Sequence, residues 1–345
     1  MIFDAPLANL FQDTQLAPIL NRNPIVCIDV GSRGGFEQDL LPIAFGVDGI
    51  AFEPDPIAFE DLGRQGVMPW RSMRHLNIAL ACGAGERMLN VPIHPGSASL
   101  LEHDVSIGQR FNKTEFFEAT SKTKVSTQAL DDVLAGVGSI SPAYVKLDIE
   151  GLEIEVLQGA SRALSQIVAL KIEVSFLPFR RGQPLAAEVD LYVRQRGFEL
   201  VDLLNPVYWR IFDSASQVQH GVSIPYSRGQ LAHGDYLFFR TVNTLDDDRK
   251  RFEAAVVAMN YGFFDHAAAI VRGPEMSRWL RTEGIASPVE LVAEVSAKFK
   301  RATRAQKRHG SRTLLQRWRR DLRIGPRLRR ALGVEKPSDN QALEC

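Results

Sequence analysis

The sequence predicts an α/β protein with a doubly wound, mostly parallel seven-stranded sheet and a helical C-terminal extension. Over the first 240 residues, short apolar runs rich in β-branched residues alternate with segments of helical periodicity. This alternation is typical of a parallel sheet covered by helices on both faces. Two of the runs end in an acidic residue followed by a glycine or proline turn. From about residue 246 the strand-like runs stop and helical periodicity continues alone.

The predicted strands and helices follow each other in regular order. Strands are predicted at 24–30, 48–54, 74–80, 143–151, 167–176, 198–204 and 235–242. Helices are predicted between them at 34–46, 57–65, 153–164 and 185–197, the last of which is closed by Gly197. Because the last two strands have no evident helix between them, we expect them to pair antiparallel at one edge of the sheet.

Two long segments interrupt this alternation. In residues 84–126 the sequence predicts a short strand, a glycine-serine loop and an irregular insertion. Such an insertion is either a functional loop, such as a lid or a substrate loop, or a plain connection. Residues 205–233 predict a second long loop.

The C-terminal extension is predicted to be helical. It contains two helices joined near Tyr261-Gly262 and a further helix over 288–323. We therefore expect a sheet domain at 1–243, a helical region with a basic tail at 244–332, and a disordered end at 333–345.

Composition excludes several classes of protein. With 45% hydrophobic and 24% charged residues, the chain of 345 residues is neither wholly disordered nor collagen-like. It has no run of about 18 apolar residues, and its first residues lack the basic region of a signal peptide. Its three cysteines, Cys27, Cys82 and Cys345, are far apart and indicate reduced thiols. We expect a cytoplasmic protein.

A net charge of zero hides a strong asymmetry. Residues 298–345 carry a net charge of +11, so residues 1–297 carry −11. Between 298 and 330, Leu314, Leu315 and Trp318 fall on one face of a basic amphipathic helix. This helix either packs on the acidic body or contacts an anionic surface, such as the inner face of a membrane. Contact with nucleic-acid phosphates is a less favoured alternative, and sparse aromatic residues disfavour a stacking platform for single strands.

A glycine-rich turn follows the first predicted strand. It reads Ile28-Asp29-Val30-Gly31-Ser32-Arg33-Gly34-Gly35 and leads into the next predicted helix. Glycines let the backbone turn sharply and approach a ligand, and a helix N-terminus offers unpaired N–H groups. The spacing is not G-x-G-x-x-G, which disfavours a dinucleotide pyrophosphate site.

An acidic residue ends the second predicted strand. Glu53 lies 22 residues after Gly31, where a carboxylate can accept hydrogen bonds from two ribose hydroxyls. The alternative is a solvated carboxylate at a turn. Together the two features predict a nucleoside-containing cofactor at the carboxyl ends of the strands.

Further acidic residues follow the fourth predicted strand. Asp148, Glu150 and Glu153 lie in the run Val145-Lys146-Leu147-Asp148-Ile149-Glu150-Gly151-Leu152-Glu153. A carboxylate there can bind a cofactor ammonium, orient an acceptor or take a proton from a hydroxyl. The alternative, a cap at a helix N-terminus, suits Glu150 and especially Glu153.

These three motifs, in this order, resemble the FkbM-type S-adenosylmethionine-dependent methyltransferases over about residues 20–205. The resemblance implies a Rossmann-like seven-stranded sheet whose last strand is antiparallel, and O-methylation of a hydroxyl. Ser32-Arg33 departs from the Ala-Asn that the family often has in the glycine loop. The resemblance implies a cofactor site formed by the glycine loop, the ribose-binding acid and the turn that faces the adenine: Asp29, Gly31, Ser32, Gly35, Glu53, Pro54 and Ala79.

Asp148, Glu150 and His94 are the candidate catalytic residues, since a hydroxyl acceptor gains from a base. The family resemblance implies the first two, and His94 lies in the insertion at 84–126. Asp148, Glu150 and Glu173 can converge on a metal, but no His or Cys ligand spacing supports one. The sequence therefore predicts no metal site.

The predicted function is S-adenosylmethionine-dependent O-methylation of a small-molecule or glycan acceptor, on a hydroxyl of a sugar, glycan or related natural product. One alternative is an NAD(P)-dependent oxidoreductase, although G-x-G-x-x-G and a clear Tyr-x-x-x-Lys pair are missing from the sequence. The other is a non-enzymatic module that binds a partner, which the intact motif residues disfavour.

Overall fold

A computed structural model describes residues 7–138, 140–211, 218–219, 222–223 and 228–321. The chain forms two compact units, one up to Ser296 and one from Ala297 on. The predicted domain boundary at 243/244 stays a prediction.

The strands in chain order are β1 (Ile25–Val30), β2 (Val47–Phe52), β3 (Ser72–Leu76), β4 (Ala79–Leu80), β5 (Gly85–Pro92), β6 (Ala119–Gln128), β7 (Tyr144–Leu147), β8 (Ala169–Ser175), β9 (Phe198–Trp209), β10 (Val218–Gln219), β11 (Val222–Ser223) and β12 (Gln230–Arg240). The helices are α1 (Leu16–Arg22), α2 (Pro56–Arg64), α3 (Val105–Phe111), α4 (Leu130–Gly136), α5 (Glu153–Gln158), α6 (Ser161–Leu164), α7 (Ala186–Arg194), α8 (Asp248–Asn260), α9 (Phe264–Val271), α10 (Pro274–Thr282) and α11 (Pro288–Asp321).

The main sheet has seven strands in the order β3-β2-β1-β7-β8-β12-β9. Neighbours from β3 to β8 are parallel, and β12 pairs antiparallel with both β8 and β9. The central strands are buried along almost their whole length, as expected for a sheet covered on both faces. The predicted Rossmann-like fold is confirmed. The last two strands of the sheet in chain order, β9 and β12, pair antiparallel at one edge, as predicted.

Strand order reverses at β1, which lies between β2 and β7. In an open parallel sheet, the crevice for a ligand lies at this point, beyond the carboxyl ends of the strands. The glycine turn, Glu53 and the acidic run each follow one of these three strands. The topology therefore brings the three sequence motifs to one edge of the sheet.

The predicted helix at 34–46 is wrong in type. Residues Gln38–Gly46 form a 3-10 helix with Pro42 inside it. Proline has no N–H and its ring clashes with the preceding turn, so an α-helix cannot run through this position.

The strand predicted at 74–80 is divided between two sheets. β3 belongs to the main sheet, whereas β4 joins β5 and β6 in a separate three-stranded sheet. β5 and β6 pair antiparallel from Gly85↔Thr127 to Pro92↔Ala119. The insertion at 84–126 is thus more regular than predicted, because its two ends form a β-ribbon and α3 lies between them.

α8, the first α-helix after the sheet, packs on the sheet domain. The side chain of Asn260 in α8 donates a hydrogen bond to the carbonyl of Asp39 at 2.8 Å. The hydroxyls of Tyr144 and Tyr261 lie 2.6 Å apart in the core. The turn between α8 and α9 contains Tyr261 and Gly262, as predicted.

α11 begins at Pro288, as predicted, and its backbone is described as far as Asp321. The structure does not describe the side chains of Leu314, Leu315 and Trp318, and the predicted disordered end at 333–345 lies outside the described residues. Within the part of the chain that the structure describes, no helix is both long enough and apolar enough to cross a membrane.

Candidate active site

A cavity of about 270 Å³ opens at the carboxyl ends of β1, β2 and β7. We call it the first cavity. Its lining includes six residues that the sequence singled out: Gly31, Glu53, Pro54, Ala79, Asp148 and Glu150. Three of the other predicted residues, Asp29, Ser32 and Gly35, do not line it, and His94 lines a neighbouring cavity. The three motifs are therefore brought together around one space, although not every residue in them faces it.

The turn after β1 requires glycine at position 31. Gly31 has a φ of +85°, and a Cβ placed there would lie 1.9 Å from the carbonyl oxygen of Asp148. Glycine alone lets the β1 and β7 turns approach this closely. Ser32 is buried, and its hydroxyl donates to the carbonyl of Phe52 at 3.2 Å, which ties the turn to β2.

Glu53 is a buried carboxylate at the cavity wall. Its Oε1 accepts the N–H of Asp55 at 2.8 Å, and its carbonyl accepts the side-chain amide of Asn77 at 2.8 Å. Burial raises the pKa of Glu53, while the hydrogen bond from Asp55 and the charge of Arg33 oppose that rise. Arg33, which also lines the cavity, forms an ion pair with Asp55.

Lys146 joins two of the motifs beneath the first cavity. Its Nζ lies 3.2 Å from Asp29 Oδ1 and 3.4 Å from Asp148 Oδ2. Asp29 is fully buried, and burial raises its pKa to about 6 although Lys146 opposes this. Burial opposes the charge of Lys146, but Asp29 and Asp148 outweigh it and hold the Lys146 pKa well above its usual value. Lys146 was not predicted as a site residue. The feature of the sequence that could have indicated it is a lysine inside an otherwise apolar strand.

Glu150 has an uncommon backbone conformation for a residue other than glycine, with φ of +63°. The hydroxyl of Ser99 donates to its carbonyl at 2.8 Å. Arg180 Nη2 lies 2.5 Å from Glu150 Oε2. Burial raises the pKa of Glu150 to about 7, with Arg180 acting in the opposite direction.

Glu153, by contrast, acts at the start of a helix. Its Oε1 accepts the N–H of Gly151 at 2.9 Å, next to the first turn of α5. Glu153 is an acidic residue in the first turn of α5, as that alternative predicts, but this hydrogen bond precedes the N-cap residue Leu152 and caps no helix amide.

A second cavity of about 310 Å³ adjoins the first. Both are lined by Gly96 and Glu150. The second is lined by aromatic and polar side chains together, namely His94, Phe116, Phe117, Phe179, Trp209, Glu150, Glu173, Arg180 and His233. The sequence analysis did not assign Phe116, Phe179, Trp209 or Arg180, which come from segments far apart in the chain and carry no shared motif.

His94 lies in the second cavity, next to an aromatic ring. The centroid of its ring is 4.6 Å from that of Phe116. The backbone N–H of His94 donates to the carbonyl of Glu115 at 2.8 Å. His94 therefore belongs to the lining of the second cavity and not to that of the first.

Three carboxylates converge where the cavities meet. One oxygen from each of Asp148, Glu150 and Glu173 lies within 4.8 Å of the others. His233 Nδ1 lies 2.9 Å from Glu173 Oε1, and Arg180 pairs with Glu150. Burial raises the pKa of Glu173 well above its usual value, and the charges of Glu150 and Asp148 add to this effect. In the described residues, the positive charge beside this cluster comes from Arg180 and Lys146.

Comparison with known proteins identifies the domain around this site. Residues 29–200 match the sequence profile of the methyltransferase FkbM domain. The chain is also 27% identical over 205 residues to the 2-O-methyltransferase NoeI of Sinorhizobium fredii (strain NBRC 101917 / NGR234). That alignment covers 57% of this chain and 81% of NoeI.

Solved structures of methyltransferases are similar to the chain at lower identity. Magnesium protoporphyrin IX methyltransferase (ChlM) from Synechocystis PCC 6803 with bound SAM is 10% identical, with a TM-score of 0.33 over 65% of this chain and 74% of that one. The Streptococcus pneumoniae Sp1610 protein, a tRNA (m1A22) methyltransferase by its description, is 12% identical in its complex with S-adenosyl-L-methionine, with a TM-score of 0.28 over 81% of this chain and 96% of that one. On the match over residues 29–200, the chain belongs to the FkbM family of methyltransferases.

Proposed function

We propose that this protein transfers a methyl group from S-adenosylmethionine to a hydroxyl of a sugar, glycan or related natural product. One observation carries the proposal. The glycine turn, the strand-end carboxylate Glu53 and the acidic pair Asp148 and Glu150 line a single cavity at the point where strand order reverses.

The chemistry of the first cavity fits this cofactor. Glu53 is a buried carboxylate suited to a ribose diol. The apolar residues Ile78, Leu80 and Leu89 offer a surface for the adenine ring. Asp148 and Glu150 place carboxylates on the wall of the same cavity, where they would stabilise a positively charged sulfonium or ammonium.

When bound, the cofactor supplies an electrophilic methyl carbon on sulfur. Gly31, Glu53 and Asp148 would hold the cofactor, and its methyl group would replace the proton of the acceptor hydroxyl. The role of the protein is to hold the hydroxyl in line with the methyl group, which can supply much of the rate enhancement. The hydroxyl proton goes to a carboxylate, for which Glu150 is suited because its pKa of about 7 lies near neutral pH.

Asp148 and His94 complete the proposed catalytic set. Asp148, paired with Lys146, stays available to orient the hydroxyl or the cofactor ammonium. His94, on the second cavity, contacts the acceptor rather than the cofactor.

The relative NoeI supports a hydroxyl acceptor. Its name describes methyl transfer to a 2-hydroxyl oxygen, and its alignment with this chain covers 81% of its length. We carry over to this protein only the class of reaction, O-methylation.

Calorimetric titration with S-adenosylmethionine, S-adenosylhomocysteine and NAD tests the cofactor assignment. We expect the first two to bind and NAD to give no heat. Methyl transfer is then measured with an isotope-labelled methyl group and a panel of glycosides, and Asp148→Asn is expected to abolish turnover while the protein still binds cofactor. Binding of NAD alone, or full activity of Asp148→Asn, contradicts the proposal.

The basic segment 298–330 has a separate proposed role, contact with an anionic surface. Support comes from its charge, since residues 298–345 carry +11 against −11 for the rest of the chain. This segment would hold the protein near an acceptor that is bound at such a surface.

A further inference from the structure

We infer that the second cavity is the acceptor subsite and that it takes one neutral, saturated ring with hydroxyls on more than one edge. This inference rests on the proposed methyl transfer from the first cavity. It adds the location of the acceptor, the chemistry of its ring and the side chains that select it.

The position of the second cavity suits an acceptor. It shares Gly96 and Glu150 with the first cavity, so a ligand in one lies next to a ligand in the other. A hydroxyl at this junction would lie beside Glu150 and within reach of a methyl group presented from the first cavity. The volume of about 310 Å³ is at the low end of ligand pockets, which suits one ring better than a long chain.

One wall of the second cavity is an aromatic surface. The rings of Trp209 and Phe179 stack with centroids 4.7 Å apart, and Phe117 lies 6.0 Å from Trp209. The C–H groups on the face of a saturated ring pack well on such a surface through dispersion and loss of contact with water.

Polar groups line the rest of the cavity. The Glu173–His233 pair offers a carboxylate and an imidazole, and Glu150 lies at the junction. Arg180 is only 4% exposed, and its Nε and Nη1 have no hydrogen-bond partner among the described residues. Neither nitrogen is exposed to the cavity, so Arg180 acts on a ligand through the charge that it places beside Glu150 rather than through these two N–H groups.

The combination of aromatic and polar walls distinguishes between classes of acceptor. A planar phenol would cover the aromatic wall, but its single hydroxyl can meet only one of the polar groups on the other walls. A saturated ring with several hydroxyls, which both donate and accept, can meet Glu150 and the Glu173–His233 pair together.

The charges of the site disfavour an anionic acceptor. Arg180 is already paired with Glu150, and Lys146 with Asp29 and Asp148. An added carboxylate or phosphate would therefore face Glu173 with no unpaired cation among the described lining residues. A neutral polyhydroxylated ring avoids this repulsion.

Saturation-transfer NMR on the full chain, loaded with S-adenosylhomocysteine, tests the inference. The probes are a panel of neutral methyl pyranosides, the methyl glucuronoside that adds a carboxylate, and 4-methylphenol. We expect signal transfer to the ring protons of at least one neutral pyranoside, with at least tenfold weaker binding of the glucuronoside and the phenol. Trp209→Ala should weaken binding of the pyranoside at least tenfold, and Trp209→Phe should retain most of it.

The matched control is Tyr208→Ala, which removes the neighbouring, exposed aromatic ring of the same strand. It should leave pyranoside binding unchanged. The affinity for S-adenosylhomocysteine is measured for every variant and should stay constant, which shows that each one is folded.

Three results would overturn the inference: no neutral pyranoside binds, Trp209→Ala binds as tightly as the unmodified protein, or the glucuronoside or the phenol binds at least as tightly as the pyranoside. If S-adenosylhomocysteine binds but the pyranosides do not, only the acceptor subsite is refuted. If S-adenosylhomocysteine itself does not bind, the proposed function is refuted and the inference fails with it.

Discussion

Glu53 and Glu150 are two carboxylates on the wall of one cavity, and their surroundings give them different tasks. Glu53 is held by the backbone N–H of Asp55, whereas Glu150 is paired with the guanidinium of Arg180. We expect Glu53→Gln to weaken S-adenosylhomocysteine binding by about 1–3 kcal/mol, because charge-assisted hydrogen bonds to the ribose are lost. Calorimetry measures the change, with Glu60→Gln on the exposed face of α2 as control. Equal affinities for both variants would remove the ribose assignment.

The ionisation of Glu150 should determine how the rate of methyl transfer depends on pH. Burial raises its pKa to about 7, so the ionised form that can accept a proton is gained as pH rises through 7. We expect kcat/KM for methyl transfer to rise through a midpoint near pH 7 and then level off. Arg180→Gln removes the positive neighbour and should move the midpoint to higher pH. A profile that stays flat from pH 6 to 8 would show that Glu150 is not the base.

At the scale of elements, the site depends on how closely the ends of β1 and β7 approach. Gly31 and Gly34 both have φ of +85°, but a Cβ would clash with Asp148 only at Gly31, and at Gly34 it would meet open space. We expect Gly34→Ala to lower the free energy of unfolding by about 1 kcal/mol for backbone strain alone. Gly31→Ala should cost roughly 2 kcal/mol more, since the strands must separate. Urea denaturation measures both, and equal losses would show that the close approach is unimportant.

At the scale of the whole molecule, the compact unit up to Ser296 contains every residue that lines the two cavities. A chain that ends at Ser296 should therefore bind S-adenosylhomocysteine with unchanged affinity. Calorimetry on the shortened and full chains makes the comparison. Loss of binding would mean that the residues from Ala297 on are needed for the cofactor site.

The same shortened chain tests the role of the basic segment. We expect the full chain to sediment with vesicles that contain anionic lipid and to be released by salt, because exposed charges are screened at high ionic strength. The shortened chain should stay in solution, as should both chains with neutral vesicles. Equal sedimentation of the two chains would refute the proposed surface contact.

The local sequence determined much of the first cavity. The β-branched runs, the glycine turn after β1 and the strand-end acids at Glu53, Asp148 and Glu150 all carry short-range patterns, and parallel strands bring their carboxyl ends to one edge. The sequence thus predicts that these residues lie at one edge of the sheet, and the strand order seen in the structure makes them neighbours. The exception in this part of the chain was Pro42, whose effect on the helix predicted at 34–46 was overlooked.

Only the tertiary structure decided the second cavity and the pairing of charges. Trp209, Arg180 and His233 lie on segments that share no motif, and they meet because β12 pairs antiparallel between β8 and β9. The pKa of Glu150 likewise depends on burial and on Arg180, 30 residues away in the chain. Periodicity and turn residues report the local conformation of the backbone, whereas desolvation and contacts between distant strands arise only when the chain is folded.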